Sequence, residues 1–392
     1  MSDRDRLSPA GTAEYAFAGI PVREYLRELD GLRAIAVIMV FFVHFGPQDV
    51  VPLVWRIKAV GWAGVDLFFV LSGFLISRIL LDTRDRPDYY KSFYLRRTLR
   101  IFPLYYSVLA LIFIVLLTWH HGQGYSELTA QVGNPWWSWF YLGNVQMALE
   151  NKTPPNFSLV PLWSLHVEEQ FYLLFPLVVR YLRMDTLRKV LLLMLVVSPL
   201  LRMMLVNAYP DDPYVEYMLL PCRLDGFAFG ALIAIWLRRP QQIDRGSIAV
   251  LTAGGCLFAY AAYFFLGHDT WRDPFTRTLG YSFFSGASAL VLVTTILYRG
   301  TPVTSFLNWA PIQFVGRISY AVYLLQAPVG GALAALFPAL YANEILRFVL
   351  VGAGTIALAA LSRRCLELPF IRMKDRFSAG TPRVAAVTSV PG

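Results

Sequence analysis

Windows of about 20 predominantly apolar residues recur from one end of the chain to the other, and no other feature constrains the fold so strongly. A stretch of that length matches the hydrocarbon core of a bilayer. Inside it the backbone must satisfy its own hydrogen bonds, so segments of this kind are helices. Composition agrees: of 392 residues, 56% are hydrophobic and only 16% charged, against roughly 25% charged in an ordinary soluble protein. The expected fold is an all-α integral membrane protein, a bundle of about ten transmembrane helices forming one membrane domain. The segments fall at 29–47, 60–81, 99–119, 162–182, 189–206, 221–237, 247–266, 279–298, 318–336 and 345–361. A short aromatic stretch, Pro135 to Ala148, fits an interfacial helix. Residues 1–24 read as a flexible cytoplasmic tail without a cleavable signal peptide, 25–376 as the membrane domain, and 377–392 as a second flexible tail.

The formal charge of +9 does not indicate nucleic acid, because the basic residues sit in short loops at alternate ends of the apolar segments. About 23 Lys and Arg fall on one side and about 5 on the other, which places both termini in the cytoplasm. Three cysteines, Cys222, Cys256 and Cys365, lack metal-ligand spacing and read as small buried residues with no disulfide framework. No metal site is expected. Gly226 and Gly230 form a small-xxx-small pair suited to close helix packing, and Pro103, Pro176, Pro199 and Pro328 mark kinks or segment starts.

Within this apolar chain the ionisable residues stand out, since each costs several kcal/mol unless it faces a partner or a wet cavity. The first helix carries Arg33 and His44 with only apolar side chains between them. Eleven residues are roughly three turns, so the two lie within about 20° of one face and about 16 Å apart. The bland reading has each snorkelling to its own interface. With the loop charges fixing orientation, Asp66, Glu168, Glu169, Arg223 and Asp225 all fall near the outer level of His44. Arg97 and Arg100, three apart and so on one face, stand where the third helix enters from inside. Two guanidiniums on one face suit bidentate phosphate binding, and plain positive-inside anchoring is the alternative. An anion site inside and an imidazole near the outer face suit acyl transfer to a hydroxyl. Imidazole has the right basicity to take the hydroxyl proton, and Asp66, Glu168 and Glu169 compete to orient it.

Four blocks in order make the chain resemble the acyltransferase 3 family of membrane-bound acyltransferases, over about residues 26–376. They are Arg33 with His44, Gly64 to Phe74, Arg97-x-x-Arg100 ahead of Ile101-Phe102-Pro103, and Trp163 to Tyr172. The resemblance implies ten spans with cytoplasmic termini in a bacterial inner membrane. It implies acyl-CoA, most often acetyl-CoA, as donor, and a hydroxyl of a glycan, lipid-linked saccharide or glycosylated metabolite as acceptor. On it His44 is the base or acyl-relay residue, Arg97 and Arg100 hold the donor's phosphates, and Arg33 lies along the donor's path. Trp163, Ser164, His166, Arg223 and Asp225 are candidates for acceptor contact, Arg223 with Asp225 being equally a buried structural pair. The family often has histidine where this chain has Gln326, so that position is either not chemical or is served by the amide. His120, His121 and His268 read as loop residues. The rival function is a transporter or flippase of a lipid-linked saccharide or acyl group. Intramembrane charge also marks transport pathways, though no inverted repeat is evident.

Overall fold

The computed structural model describes residues 15–17, 25–47, 58–119, 129–238, 241–243, 245–266 and 272–377. Helices dominate it, with one antiparallel pair of three-residue strands, β1 (Tyr15–Phe17) and β2 (Gln241–Ile243), Tyr15 opposite Ile243. A helix stands at each of the ten expected segments. They are α1 (Arg27–Phe45), α2 (Ala63–Thr83), α3 (Tyr89–Trp119), α4 (Leu162–Tyr181) and α5 (Met184–Ala208). The second half supplies α6 (Leu224–Trp236), α7 (Arg245–Leu266), α8 (Tyr281–Leu297), α9 (Ser319–Leu336) and α10 (Glu344–Ser362). Six helical stretches, Ala63–Thr83, Tyr89–Thr118, Met184–Ala208, Thr276–Leu297, Ser319–Leu336 and Glu344–Met373, are long and apolar enough to cross a membrane. The chain is thus a multi-pass membrane protein. Helix α1 departs from that standard because Arg27, Glu28, Asp30 and Arg33 crowd its first turns, and α6 because it has only 13 residues. Both expected tails, and His120, His121 and His268, lie outside the described residues apart from β1.

Glycine lets the central helices approach closely. A methyl group placed on Gly230 of α6 would land on the backbone of Val70 and Phe74 in α2, and one on Gly73 would land on the Phe227 carbonyl. The two helices therefore touch main chain to main chain, as the small-xxx-small spacing of Gly226 and Gly230 predicts. Around this contact Phe227 stacks on Phe69 and Phe171 at centroid distances of 4.7 and 4.1 Å. Helices α5 and α10 lie outermost, with Leu192, Leu193, Val196, Met204, Ile345 and Val349 exposed; such apolar exposure suits contact with lipid rather than water.

Helix α1 is flanked by the chain that leads into α9. Gly31 packs on Leu307, Gly316 on the Asp30 backbone, and Gly330 on the Phe45 ring, so α9 runs beside α1 in the same direction. The α1 C-terminus is closed by Gly46, whose N–H donates to Phe42 O, and by Lys58, whose Nζ donates to Gly46 O at 2.9 Å.

Two expectations change. The 135–148 stretch is not one interfacial helix but two short ones, Pro135–Trp139 and Gly143–Glu150, broken at Tyr141. Tyr141 has φ of 57°, a strained value for an aromatic residue, and stacks on Tyr105 at 4.3 Å. Ser138, Asn144 and Gln146 are buried, whereas Trp136, Phe140 and Leu149 of the same segment are exposed. Of the three cysteines, all free, only Cys222 is buried; Cys256 and Cys365 sit on outward faces of their helices.

Gly230→Ala should lower thermal stability at or beyond the upper end of the roughly 1–3 kcal/mol typical of overpacking. Gly254→Ala, where nothing lies within 4 Å of the added methyl, should be neutral or slightly stabilising. Unfolding midpoints of the two variants in detergent check this contrast.

Candidate active site

A cavity of about 100 Å³ opens where α1, α2, α3, α4 and α9 converge. Arg33 reaches it from α1, Ser72 from α2, Arg97 and Arg100 from α3, Ser164, Glu168 and Tyr172 from α4, and Tyr320 and Tyr323 from α9. The helical spacing puts both α3 arginines on the cavity side. Arg97 lies over the Tyr172 ring, 4.8 Å from its centroid. Among the described residues neither Arg97 nor Arg100 forms an ion pair within 4 Å. Arg33, by contrast, is bonded to Asp30 at 2.7 Å, and Tyr25 donates to the same carboxylate.

Opposite the arginines, Glu168 accepts from Ser72 and, at 2.7 Å, from the Tyr172 hydroxyl. That hydroxyl also approaches Ser72 at 3.0 Å. Tyr323 donates to Pro161 O at 2.7 Å, so the 2.5 Å contact between Tyr323 and Ser164 must have Ser164 as donor. The site thus offers two guanidiniums with all their donors unspent, beside a fixed carboxylate. An anion of the size of a phosphate group fits that donor set.

His44 does not line this cavity. It sits at the far end of α1 from Arg33, edge-on to Phe157 at 5.5 Å. Its Nδ1 is buried without a hydrogen-bond partner. Among the described residues, Gln326 and Lys58 are polar side chains that act on the ring.

Asp66, Arg223 and Asp225 belong to a separate ionic layer. Arg223 bonds Asp66 at 2.7 Å, both side chains 1% exposed, and Ser285 donates to the same carboxylate at 3.1 Å. The Arg223 guanidinium lies 4.4 Å from the Tyr281 ring centroid. Asp225 pairs with Arg202 at 3.0 Å and accepts from Ser282 at 2.6 Å. A third pair joins Arg277 to Glu216, with Arg277 also donating to the carbonyls of Tyr209, Pro210 and Asp212. The structure therefore brings Asp66 to Arg223 rather than to His44, and pairs Arg223 and Asp225 with other residues rather than with each other.

The rest of the α4 block divides between these places. Trp163 is buried against Tyr217 at 4.5 Å. His166, 1% exposed, meets the Tyr105 hydroxyl at 2.9 Å. Tyr105 donates its single proton to Ser138 O at 2.6 Å, so His166 Nε2 must be the donor in that contact. Glu169 is not among the cavity-lining residues and has one buried carboxylate oxygen without a partner, with Glu168 and Arg97 the charges nearest in effect.

Several participants escaped sequence reasoning. Ser72, Tyr172, Tyr320 and Tyr323 are ordinary residues for an apolar helix and become legible only as a cluster. Arg202 carried a signal: an arginine within Leu200-Leu201-Arg202-Met203-Met204 is an intramembrane charge that demands a partner.

The family model described as an acyltransferase domain, type 3, matches residues 26–364, and the chain belongs to that family. It is 29% identical over 363 residues to the peptidoglycan O-acetyltransferase OatA of Listeria monocytogenes, covering 88% of this chain and 56% of that protein. It is 29% identical over 324 residues to the putative peptidoglycan O-acetyltransferase YrhL of Bacillus subtilis, covering 78% and 48%. It is 30% identical over 327 residues to the O-acetyltransferase OatA of Staphylococcus aureus, covering 78% and 50%. The chain thus spans about half the length of these curated relatives. No solved structure matches it.

Removing one partner of the Asp66–Arg223 pair strands a buried charge, so Asp66→Ala should destabilise by about 3–5 kcal/mol. The double variant Asp66→Leu with Arg223→Met should recover much of that loss. Thermal unfolding of the single and double variants measures both.

Proposed function

We propose that the chain is an integral-membrane O-acyltransferase that moves an acyl group, acetyl in the simplest case, from acyl-CoA to a hydroxyl of a cell-surface glycan. The observation that carries this reading is the pair Arg97 and Arg100, guanidiniums that line a cavity in an apolar bundle and form no ion pair among the described residues. Such an arrangement is costly unless an anion completes it. The phosphates of a coenzyme A thioester have the charge and geometry to do so. A cavity of about 100 Å³ holds the phosphate end and not the whole donor, so the pantetheine arm extends elsewhere. Running along α1 from Arg33, it would cover the roughly 16 Å to His44. Tyr323 lines the cavity on the α9 side, and His44 is not among the lining residues.

At His44 the imidazole takes the proton of the acceptor hydroxyl as its oxygen attacks the thioester carbonyl. The carbonyl carbon–sulfur bond then breaks, and the thiolate leaves and is protonated by the imidazolium, which restores the base. Charge on the tetrahedral intermediate requires a donor, and a side-chain amide or hydroxyl near the ring meets that need.

The loop-charge bias supports ten spans with both termini in the cytoplasm of a bacterial inner membrane, donor inside and acceptor outside. The relatives described as peptidoglycan O-acetyltransferases favour a cell-wall glycan, or its lipid-linked precursor, as acceptor.

Purified protein given labelled acetyl-CoA and a peptidoglycan fragment should form labelled product. His44→Ala should cut turnover by about 10²–10⁴-fold. Arg97→Ala should raise the donor KM by roughly 10–100-fold, the loss of one charge-assisted contact. Full activity in His44→Ala would defeat the assignment. Label crossing the membrane without new ester would indicate transport instead.

A further inference from the structure

Helix α9 accompanies α1 in the same direction, held at one end by Gly316 on Asp30 and at the other by Gly330 on Phe45. Tyr320 and Tyr323 face the cavity from it. Gln326 follows three residues further toward the His44 end and is fully buried. Its Nε2 donates to the Tyr323 carbonyl at 3.2 Å. Only the NH₂ end of an amide can make that bond, so its Oε1 is left as the free acceptor, buried and without a partner.

The complementary vacancy lies across the helix contact. His44 Nδ1 is also buried and unpartnered, and Gln326 is the polar side chain with the largest effect on the ring. Lys58, another polar neighbour, can only donate, and its Nζ already bonds Gly46 O at 2.9 Å, so it offers no acceptor to the ring. A buried donor or acceptor left unmade costs roughly 1–3 kcal/mol. Two such groups side by side relieve each other by a small turn of ring and amide. The edge-on contact with Phe157 limits the ring's other motions.

We propose that Gln326 is the positioning residue of His44: its Oε1 accepts the Nδ1–H and so holds the imidazole as the tautomer whose Nε2 lone pair is free. A second-sphere acceptor of this kind decides which ring nitrogen is basic. A neutral amide does it without placing a further charge in the bundle. The consequence for catalysis rests on the reading of His44 as the base; the tautomer itself does not.

The test uses the full chain in lipid nanodiscs with ¹⁵N-labelled histidine. The protein has five histidines, and the difference spectrum against His44→Asn isolates the one of interest. Wild type should show His44 protonated on Nδ1. Gln326→Leu, which removes the acceptor, should move it toward the Nε2–H form, and Gln326→Glu, which keeps one, should not. In turnover, Gln326→Leu should lower kcat by about 10–100-fold with the donor KM unchanged, and Gln326→Glu should restore most of it. An Nε2–H imidazole in wild type, or an unmoved tautomer in Gln326→Leu, overturns the proposal. Should Gln326→Leu fail to fold, the wild-type spectrum decides alone. If His44→Ala retains activity while the tautomer behaves as stated, the base assignment fails and the positioning contact stands.

Discussion

An ionised side chain inside an apolar bundle is stable only when it is paired, hydrogen-bonded or wet, and this constraint arranges most of the molecule. Three guanidiniums obey it by pairing across helices: Arg223 with Asp66, Arg202 with Asp225, and Arg277 with Glu216. Together they tie α2, α5 and α6 to the turn before α8. The tie is possible because Gly73 and Gly230 let α2 and α6 meet at backbone distance. With side chains between them, the carboxylate of Asp66 and the guanidinium on the α6 entry would stand apart.

Against that paired half, the cavity side leaves Arg97 and Arg100 without an ion pair among the described residues, although Arg33 is paired with Asp30. Glu168, which shares the cavity, is held by hydroxyls instead of by a cation. The division is physical: one half spends its ionic groups on rigidity, and the other keeps them available for a ligand. Helix α1 connects the two ends of the open side, Arg33 in the cavity and His44 about 16 Å beyond it. The parallel run of α9 carries the lining from Tyr320 through Tyr323 to Gln326 along the same axis. A long, flexible donor anchored by its phosphates suits that layout better than a compact one.

Much of the fold was legible because hydropathy is a local property. Every expected segment coincides with a helix, and α1, with Arg33 and His44 on one face, lies where its polar spacing places it. The pair Arg97 and Arg100 could be read as one surface from i,i+3 spacing alone. Partner choice could not. Asp66, Glu168 and Glu169 are equal contenders for His44 in a one-dimensional reading, because depth in the membrane is all that loop charges supply. In three dimensions Asp66 is held by Arg223, Glu168 lines the cavity, and Glu169 does not. In the aromatic 135–148 stretch the residues alone do not show the break at Tyr141, which folds Trp139 and Tyr141 onto α3 while Trp136 and Phe140 stay exposed.

The sequence by itself determined the class of structure, since about 20-residue apolar windows admit helices and little else in a bilayer. It also determined the chemistry on offer, an imidazole, a pair of guanidiniums and several carboxylates in a chain with few other charges. Only the tertiary structure decided which of these groups meet. Hydrophobic periodicity fixes what a helix is and which face it buries, whereas a salt bridge or a shared cavity depends on the relative rotation and depth of helices far apart in the chain. Those are set by close contacts such as Gly230 on Val70 and Gly330 on Phe45, which no window of the sequence contains.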